Sequence, residues 1–367
     1  MSNDLLFKPF DSNNLTLKNR IVMAPMTRTF SKGNVANDMN VEYYRKRAAG
    51  GVGLIITEGT CVGHKAANGY PNVPYIATDE QLAGWKKVVD AVHNEGGKIM
   101  PQLWHVGSLR KPGTEPDGDV PGFGPSGLVM PGKKRCHEMT EEDIADVIKA
   151  FADSARRAKE TGFDGVEVHG AHGYLLDQFF WEGLNERTDK WGGSLVKRTR
   201  FAVEIIKAIR AEVGPDYPII LRWSQWKQQE YSARLANNPA ELEEFLAPLS
   251  DAGVDIFHCS TRRFWEPEFE GSDLNLAGWT QKITGKPAIT VGSVGLDTAF
   301  TDENTSGFSG AKPASLDKLT DRMAKGEFDL VAVGRALIAN PDWAQKMEAD
   351  AHSEVAAYTK DMLAELV

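Results

Sequence analysis

The chain has 367 residues, of which 41% are apolar and 25% charged, and its 51 acidic and 42 basic residues give a net charge of −9. This composition is typical of a globular protein with one large or two small domains and a full core, and it excludes disordered and fibrous chains. An acidic balance without a basic cluster argues against nucleic acid as a partner, because phosphate binding needs concentrated Lys and Arg.

The chain shows no signal for a membrane or for secretion. No apolar run approaches the ~20 residues that a membrane helix needs. The first residues, MSNDLLFKPF, lack the basic and hydrophobic regions of a signal peptide. The cysteines Cys61, Cys136 and Cys259 are odd in number and widely spaced, so we expect no disulfide scaffold and no structural zinc. These features predict a cytoplasmic protein.

Short apolar runs predict eight buried strands. They lack the polar–apolar alternation of half-exposed strands, as expected for parallel strands that are covered on both faces. In chain order they are residues 20–24, 53–57, 98–103, 165–168, 218–222, 254–258, 287–291 and 330–333.

Amphipathic helical stretches separate these strands. Thr78 and Gln81 have the spacing of a capping box before one apolar stripe, and Thr140 precedes another that Gly162 can end. Eight strands that alternate with helices predict a (β/α)₈ barrel, and we expect residues 1–367 to form a single domain. A doubly wound open sheet is the alternative, but no predicted strand is followed by a G-x-G-x-x-G turn. Segments 107–138 and 260–278 lack a regular pattern and predict long loops on the barrel rim.

Seven of the eight predicted strands end in polar residues or glycine. The carboxyl ends of barrel strands converge on one rim, where the active sites of such barrels are built. The pattern therefore predicts an active site at that rim without identifying the reaction. In strand order the residues are Thr27 and Arg28, Glu58 and Gly59, Gln102, Trp104 and His105, His169 and His172, Arg222, Gly292 and Ser293, and Gly334 and Arg335.

The densest cluster is His169-Gly-Ala-His172-Gly-Tyr174. Two histidines three residues apart can bind a metal, donate hydrogen bonds to a developing negative charge, or be ordinary loop residues. A metal needs a third ligand, and Glu167 is a poor candidate. The local sequence leaves these three interpretations open.

Two further features predict binding of a negatively charged or electron-rich ligand. Arg222 ends a buried strand and keeps its charge, so it needs an anion or an electron-rich ring edge, or else an ion pair with Glu58 or Glu167. The glycine turns after the last two strands, one of them followed by Arg335, favour a phosphate site over turns that serve only to reverse the chain.

These residues lie in motifs that resemble the Old Yellow Enzyme family of FMN-dependent ene-reductases, over essentially the whole chain. The family fold is a (β/α)₈ barrel whose bottom is closed by a short amino-terminal hairpin, which corresponds here to residues 6–17. The motifs are LFKPF and LTLKNRIVMAPMTR near the start, MPQLWHVG, GPSGL, the long run TGFDGVEVHGAHGYLLDQFFWEGLNERTDKWGGS, and VGRALIANPDW.

The resemblance implies a role for each site residue. His169 and His172 would bind the carbonyl or nitro oxygen of the substrate, Tyr174 would donate a proton, and Trp104 would form a wall of the substrate pocket. His172 stands where other members use Asn, which we expect to shift substrate preference. The residues that would bind FMN are Pro25, Met26, Thr27, Gly59, Gln102, Arg222, Gly292, Ser293, Gly334 and Arg335.

The implied activity is hydride transfer from NAD(P)H through FMN to the activated C=C bond of enones, and also to nitro compounds or nitrate esters. The sequence leaves open the natural substrate, the choice between NADH and NADPH, and whether the protein is a monomer or a homodimer. Two alternative functions are a non-catalytic flavin-binding protein and a metal-dependent barrel hydrolase.

Overall fold

The computed structural model describes residues 4–12, 15–299 and 310–367. In chain order the strands are β1 (Phe10–Ser12), β2 (Leu15–Leu17), β3 (Ile21–Met23), β4 (Leu54–Cys61), β5 (Lys98–Trp104), β6 (Phe123–Gly124), β7 (Leu128–Met130), β8 (Lys133–Lys134), β9 (His137–Glu138), β10 (Val166–His172), β11 (Ile219–Lys227), β12 (Ile256–Ser260), β13 (Ala288–Val291) and β14 (Leu330–Val333).

Most helices lie between the barrel strands, and within the described ranges none is long and apolar enough to cross a membrane. Four short 3₁₀ turns lie at Lys32–Asn34, Gly107–Leu109, His352–Glu354 and Lys360–Leu363. The α-helices are α1 (Asp4–Phe7), α2 (Asp38–Ala49), α3 (Asp79–Asn94), α4 (Glu141–Thr161), α5 (Leu175–Phe180), α6 (Leu195–Arg198), α7 (Arg200–Val213), α8 (Pro239–Asp251), α9 (Leu276–Thr284), α10 (Asp317–Ala324), α11 (Arg335–Ala339) and α12 (Trp343–Glu348).

Eight parallel strands close into a barrel in the order β3, β4, β5, β10, β11, β12, β13, β14, with β14 pairing back to β3. They are the eight strands that the apolar runs predict, so the barrel is confirmed and the open sheet is wrong. Several strands run further toward their carboxyl ends than predicted. Pairing continues there through polar residues, as in the partners His172 and Lys227, which an apolar pattern does not include.

The predicted helix caps are present. The Thr78 hydroxyl accepts a hydrogen bond from the Gln81 amide at 3.3 Å, and the Gln81 side chain accepts one from the Thr78 amide at 3.0 Å. Thr140 opens α4, and Gly162 ends it in the left-handed conformation at φ 100°. Because each cap satisfies backbone groups that the helix itself leaves unpaired, the helix ends fall where the sequence places them.

A hairpin closes the bottom of the barrel. Its strands β1 and β2 are antiparallel, with Phe10 opposite Leu17. The predicted hairpin begins too early, because Leu6 and Phe7 belong to the helical turn α1. Phe10, Leu15 and Leu17 pack against a buried apolar cluster formed inside the barrel by Val22, Leu54, Ile56, Met100, Ile220, Ile256, Ile289, Leu330 and Ala332.

The two long rim segments differ from each other. Segment 107–138 folds into two small ladders, with β6 parallel to β9 and β7 antiparallel to β8. Segment 260–278 holds only the end of β12 and the start of α9 and is otherwise irregular, as predicted. That residues 1–367 form one domain stays a prediction.

Candidate active site

A cavity of about 400 Å³ opens at the carboxyl ends of the barrel strands. Of the site residues that the sequence predicts, only Gly59 is not among those that line it. The lining residues from the predicted set are Pro25, Met26, Thr27, Gln102, Trp104, His169, His172, Tyr174, Arg222, Gly292, Ser293, Gly334 and Arg335.

Gly59 lies behind Trp104. A Cβ atom on Gly59 would come within 2.8 Å of Cδ2 and 2.9 Å of Cζ3 of the Trp104 ring, with Cε3 closer still. Trp104 in turn stacks on Tyr70 and His169, with ring centroids 5.4 and 6.3 Å apart. The missing side chain of Gly59 therefore makes room for the indole that backs the histidine side of the cavity.

Arg222 ends in the cavity, and its Nε is buried without a hydrogen-bond partner among the described residues. Neither predicted carboxylate pairs with it. Glu58 instead accepts from the Arg28 amide at 3.0 Å, and Glu167 bridges Gln102 Nε2 (2.7 Å) and His258 Nδ1 (2.6 Å). The ion-pair interpretation of Arg222 is thus wrong, and the buried guanidinium fits an electron-rich ligand edge.

Both predicted histidines carry neutral rings. The pKa of each is held well below its usual value, first by burial and then by the positive charge of Arg222. Nδ1 of His169 accepts from the Ala171 amide at 3.3 Å, so its proton is on Nε2. His172 has a left-handed backbone (φ 64°), and its Nε2 lies 2.7 Å from Ser260 Oγ.

Tyr174 lies beside the histidines, with its ring centroid 5.0 Å from that of His169 and 5.0 Å from that of Trp104. Its hydroxyl is 3.1 Å from the Tyr70 hydroxyl. Burial, and next the neighbouring Tyr70, raise the pKa of Tyr174 well above its ordinary value. Tyr174 therefore holds its proton at neutral pH.

A buried ion pair fixes the loop that carries His172 and Tyr174. Lys227 Nζ lies 2.7 Å from Asp177 Oδ1, and both side chains are fully buried. Asp177 Oδ2 also accepts from the Gly173 amide at 2.7 Å. Burial raises the pKa of Asp177 to about 6, and burial also lowers the pKa of Lys227. The contact holds the end of the long β11 strand against the segment that follows β10.

The cavity is also lined by the segments that follow β13 and β14, and the turn after β13 packs closely on its neighbours. Gly292 has φ 135°, and a Cβ there would lie 2.7 Å from the Thr261 carbonyl oxygen. Ser293 follows it with φ 55°. Arg335, which lines the cavity, donates to the Thr298 carbonyl at 2.5 Å. Two close backbone turns and a guanidinium together fit a phosphate group.

The charge that lines the cavity has one sign. Four arginines line it, Arg28, Arg222, Arg262 and Arg335, and no Asp or Glu is among the described lining residues. The protein as a whole has a net charge of −9. A ring with an electron-rich edge and a phosphate tail, as in FMN, suits this lining.

Several lining residues lie beyond the predicted strand ends. They follow the fifth and sixth strands, whose polar extensions the apolar pattern does not include. A later boundary for the sixth strand would have shown that it too ends in a polar residue, Ser260. The residues are Trp226, Gln228, Tyr231, Ser260, Thr261 and Arg262, of which the last three lie in the predicted rim loop 260–278.

The histidine pair has no metal-binding partner in the part of the chain that the structure describes, where no three His, Cys, Asp or Glu side chains converge. Instead, Nδ1 of His169 accepts from the Ala171 amide, and Nε2 of His172 lies beside the Ser260 hydroxyl. Both histidines line the cavity, so the metal interpretation has no support among the described residues.

A parallel barrel whose rim cavity is lined by arginines and histidines and fits a flavin and its phosphate is typical of flavin-dependent oxidoreductases. Residues 5–354 match the NADH:flavin oxidoreductase / NADH oxidase family, so the chain belongs to this family, the Old Yellow Enzyme family. It is an NAD(P)H-dependent flavin oxidoreductase whose cofactor is FMN. The predicted family, enzyme class and cofactor are confirmed, and the two alternative functions are wrong.

Relatives in plants and bacteria cover nearly all of the chain. A putative 12-oxophytodienoate reductase 2 of Oryza sativa subsp. japonica is 34% identical over 365 residues, 97% of this chain and 91% of that protein. An NADH oxidase of Thermoanaerobacter brockii is 35% identical over 95% of this chain and 52% of its own length. The structure of morphinone reductase in complex with tetrahydroNAD has a TM-score of 0.81 at 29% identity, covering 98% of this chain and 93% of that one.

Proposed function

We propose that this flavin oxidoreductase reduces the activated C=C bond of enones, accepts nitro compounds and nitrate esters as further substrates, and uses Tyr174 as the proton donor. The observation that carries the proposal is the meeting of His169, His172 and Tyr174 around one cavity, with ring centroids of His169 5.2 Å from His172 and 5.0 Å from Tyr174. Relatives named 12-oxophytodienoate reductase and morphinone reductase support a reductase.

The rim residues hold the cofactor. When bound, FMN would supply the hydride, which comes from NAD(P)H. Arg222 would hold the electron-rich edge of the ring, and Gly292, Gly334 and Arg335 would hold the phosphate. Gln102 offers a carbonyl oxygen to the ring, since its amide nitrogen already donates to Glu167. Pro25, Met26 and Thr27 line the remaining side. Gly59 affects the site only through Trp104, because its lack of a side chain makes room for the indole.

The histidine pair polarises the substrate. Two neutral imidazoles donate N–H groups to its carbonyl or nitro oxygen, where negative charge grows as the hydride arrives. His169 donates from Nε2, because its Nδ1 already accepts a backbone hydrogen bond. Nε2 of His172 is engaged by Ser260, so His172 faces the substrate through Nδ1 when the serine donates. Fixed donors in a buried site need no reorganisation during the reaction.

Tyr174 completes the reaction by giving its hydroxyl proton to the substrate carbon that does not receive the hydride. Its raised pKa keeps that proton in place until a carbanion forms nearby. The adjacent Tyr70 hydroxyl, at 3.1 Å, can share the proton and lies closer to solvent. Two phenols thus stand next to the reacting centre, and only one of them is the direct donor.

The test separates the two tyrosines. In Tyr174→Phe, flavin reduction by NADPH should proceed nearly normally, while reduction of 2-cyclohexenone falls about 10²-fold or more, the usual range for loss of a general acid. Reduction of a nitroalkene should fall less, because its nitronate product is stable enough to be protonated in water. Tyr70→Phe is the matched control and should retain most enone reduction. Stopped-flow measurement of both half-reactions decides the matter.

Equal losses for enone and nitroalkene in Tyr174→Phe would contradict the proton-donor role. A selective loss of enone reduction in Tyr70→Phe, with Tyr174→Phe little affected, would assign the proton to Tyr70 instead.

A further inference from the structure

The proposed function assigns a role to two of the four arginines that line the cavity. Arg222 and Arg335 are assigned to the ring edge and the phosphate. Arg28 is held within the protein, because its Nη2 donates to the carbonyl oxygens of Met362 and Glu365 at 3.2 and 2.6 Å and its Cζ lies 5.0 Å from the centroid of the Tyr43 ring, although its Nε and Nη1 have no partner among the described residues. Arg262 has no assigned role, although it lines the cavity from the irregular rim segment after β12.

Arg262 has no anionic partner within the described ranges. Among the described residues, no carboxylate lies within ion-pair distance of its guanidinium, and its Nε is shielded from solvent without a hydrogen-bond partner. The guanidinium contacts the Tyr231 ring, whose centroid lies 4.8 Å from Cζ, and the backbone carbonyl of Arg262 accepts from Ser293 Oγ at 3.1 Å. Its neighbour Arg263 differs, because it pairs with Glu266 at 3.1 Å and does not line the cavity. A charged group that is half-buried and unpaired indicates a ligand that pairs with it.

Arg262 lies on the substrate side of the cavity. A row of stacked planes runs outward from the histidine pair, with centroid distances of 4.4 Å from His172 to Trp226 and 5.7 Å from Trp226 to Tyr231. Arg262 covers the outer end of this row. A flat ligand held by the histidines can extend a side chain along the row until it reaches the guanidinium.

We infer that Arg262 forms an anion-binding subsite for a carboxylate or phosphate carried by a ligand whose ring binds at His169 and His172. The inference rests on the proposed function and adds the ligand's charge to it. Two sources have this chemistry: the phosphates of the nicotinamide nucleotide, and a carboxylate on the substrate. A planar guanidinium binds either group through paired hydrogen bonds.

The experiment measures binding to the FMN-loaded enzyme by the change in flavin absorbance. For the nucleotide source, the probes are tetrahydroNAD and the uncharged tetrahydro form of 1-benzylnicotinamide. For the substrate source, they are 3-(4-hydroxyphenyl)propanoate and 4-methylphenol. Arg262→Gln should weaken at least one charged probe by about 10- to 100-fold, the usual effect of losing a charged hydrogen bond. It should leave the matched uncharged probe within about 2-fold.

Arg263→Gln removes the same charge from the adjacent position. It should leave the affinities of the charged and the uncharged probes at the values of the parent enzyme. The weakened probe identifies the source, and weakening of both means that both anions use the subsite. Equal affinities of charged probes in Arg262→Gln and the parent enzyme, or equal losses in Arg263→Gln, would overturn the inference. Failure of 4-methylphenol to bind the parent enzyme would instead contradict the histidine assignment, while the affinities of the charged probes for Arg262→Gln and for the parent enzyme would still test the subsite.

Discussion

Gly59→Ala should disturb the active site by displacing the Trp104 indole that packs against it. The added Cβ would lie 2.8 Å from Cδ2 of Trp104, whereas ordinary van der Waals contact begins near 3.4 Å. The indole must therefore move by roughly half an ångström or more. Trp104 is 1% exposed and packs against Tyr70, His169 and Tyr174, so it cannot move alone.

Overpacking of this kind costs ~1–3 kcal/mol in the free energy of unfolding. We expect Gly59→Ala to lose stability in this range, measured by chemical denaturation, and to bind a phenolic ligand more weakly because His169 and Tyr174 shift with the indole. FMN affinity should change less, since Gly59 does not line the cavity.

Trp104→Leu provides the matched background, because it removes the ring atoms that the new Cβ would meet. In the Trp104→Leu background, Gly59→Ala should lower the free energy of unfolding much less than it does in the parent chain. A full-size loss of stability in that background, or a Gly59→Ala variant that loses FMN while keeping its stability, would refute the packing argument and return Gly59 to the flavin edge.

Three further substitutions test the rest of the site. Arg222→Ala should weaken FMN binding and lower the flavin midpoint potential, measured by fluorescence titration and spectroelectrochemistry, whereas Arg222→Lys should restore part of the potential. Ser260→Ala should weaken phenol binding by about 5- to 10-fold, because the ring of His172 loses its hydrogen bond. Ser260→Thr keeps a hydroxyl and should restore phenol binding. An equal loss of phenol binding when Ser260→Ala is made in a His172→Ala background would show that Ser260 does not act through His172. Burial raises the pKa of Glu58 from 4.5 to about 7 in the folded protein, so the folded state holds this proton more tightly than the unfolded chain does. The free energy of unfolding should therefore fall by roughly 3 kcal/mol as the pH rises from 4.5 to 7. Glu58→Gln should flatten this slope in denaturation measured from pH 4.5 to 7.5, and an unchanged slope would show that Glu58 is not its source.

The sequence predicts the barrel well because the fold depends on patterns that local sequence carries. Apolar runs identify all eight strands, and Thr78 and Gly162 mark helix ends through local hydrogen bonding and backbone conformation. Neither pattern needs knowledge of distant contacts. The position of the site on the rim follows from the same regularity.

The parts that the sequence does not predict depend on contacts between distant segments. Gly59 and Trp104 meet only because β4 and β5 are neighbours in the barrel. Ser260 reaches His172 across 88 positions of the chain, and its role has no local signature. Arg262 and Arg263 look alike in sequence, but only the structure shows which of them finds a carboxylate.

The hairpin at the bottom of the barrel has a kinetic consequence. Phe10, Leu15 and Leu17 pack against the apolar cluster inside the barrel, and the cavity of the described residues opens at the other end, on the rim. Under the proposed function, nicotinamide and acceptor both bind in front of the histidines, so they cannot bind at the same time. We then expect oxidised nucleotide to leave before the acceptor binds. Initial-rate plots at several acceptor concentrations should be parallel, and an excess of either reactant should slow the enzyme by occupying the shared space.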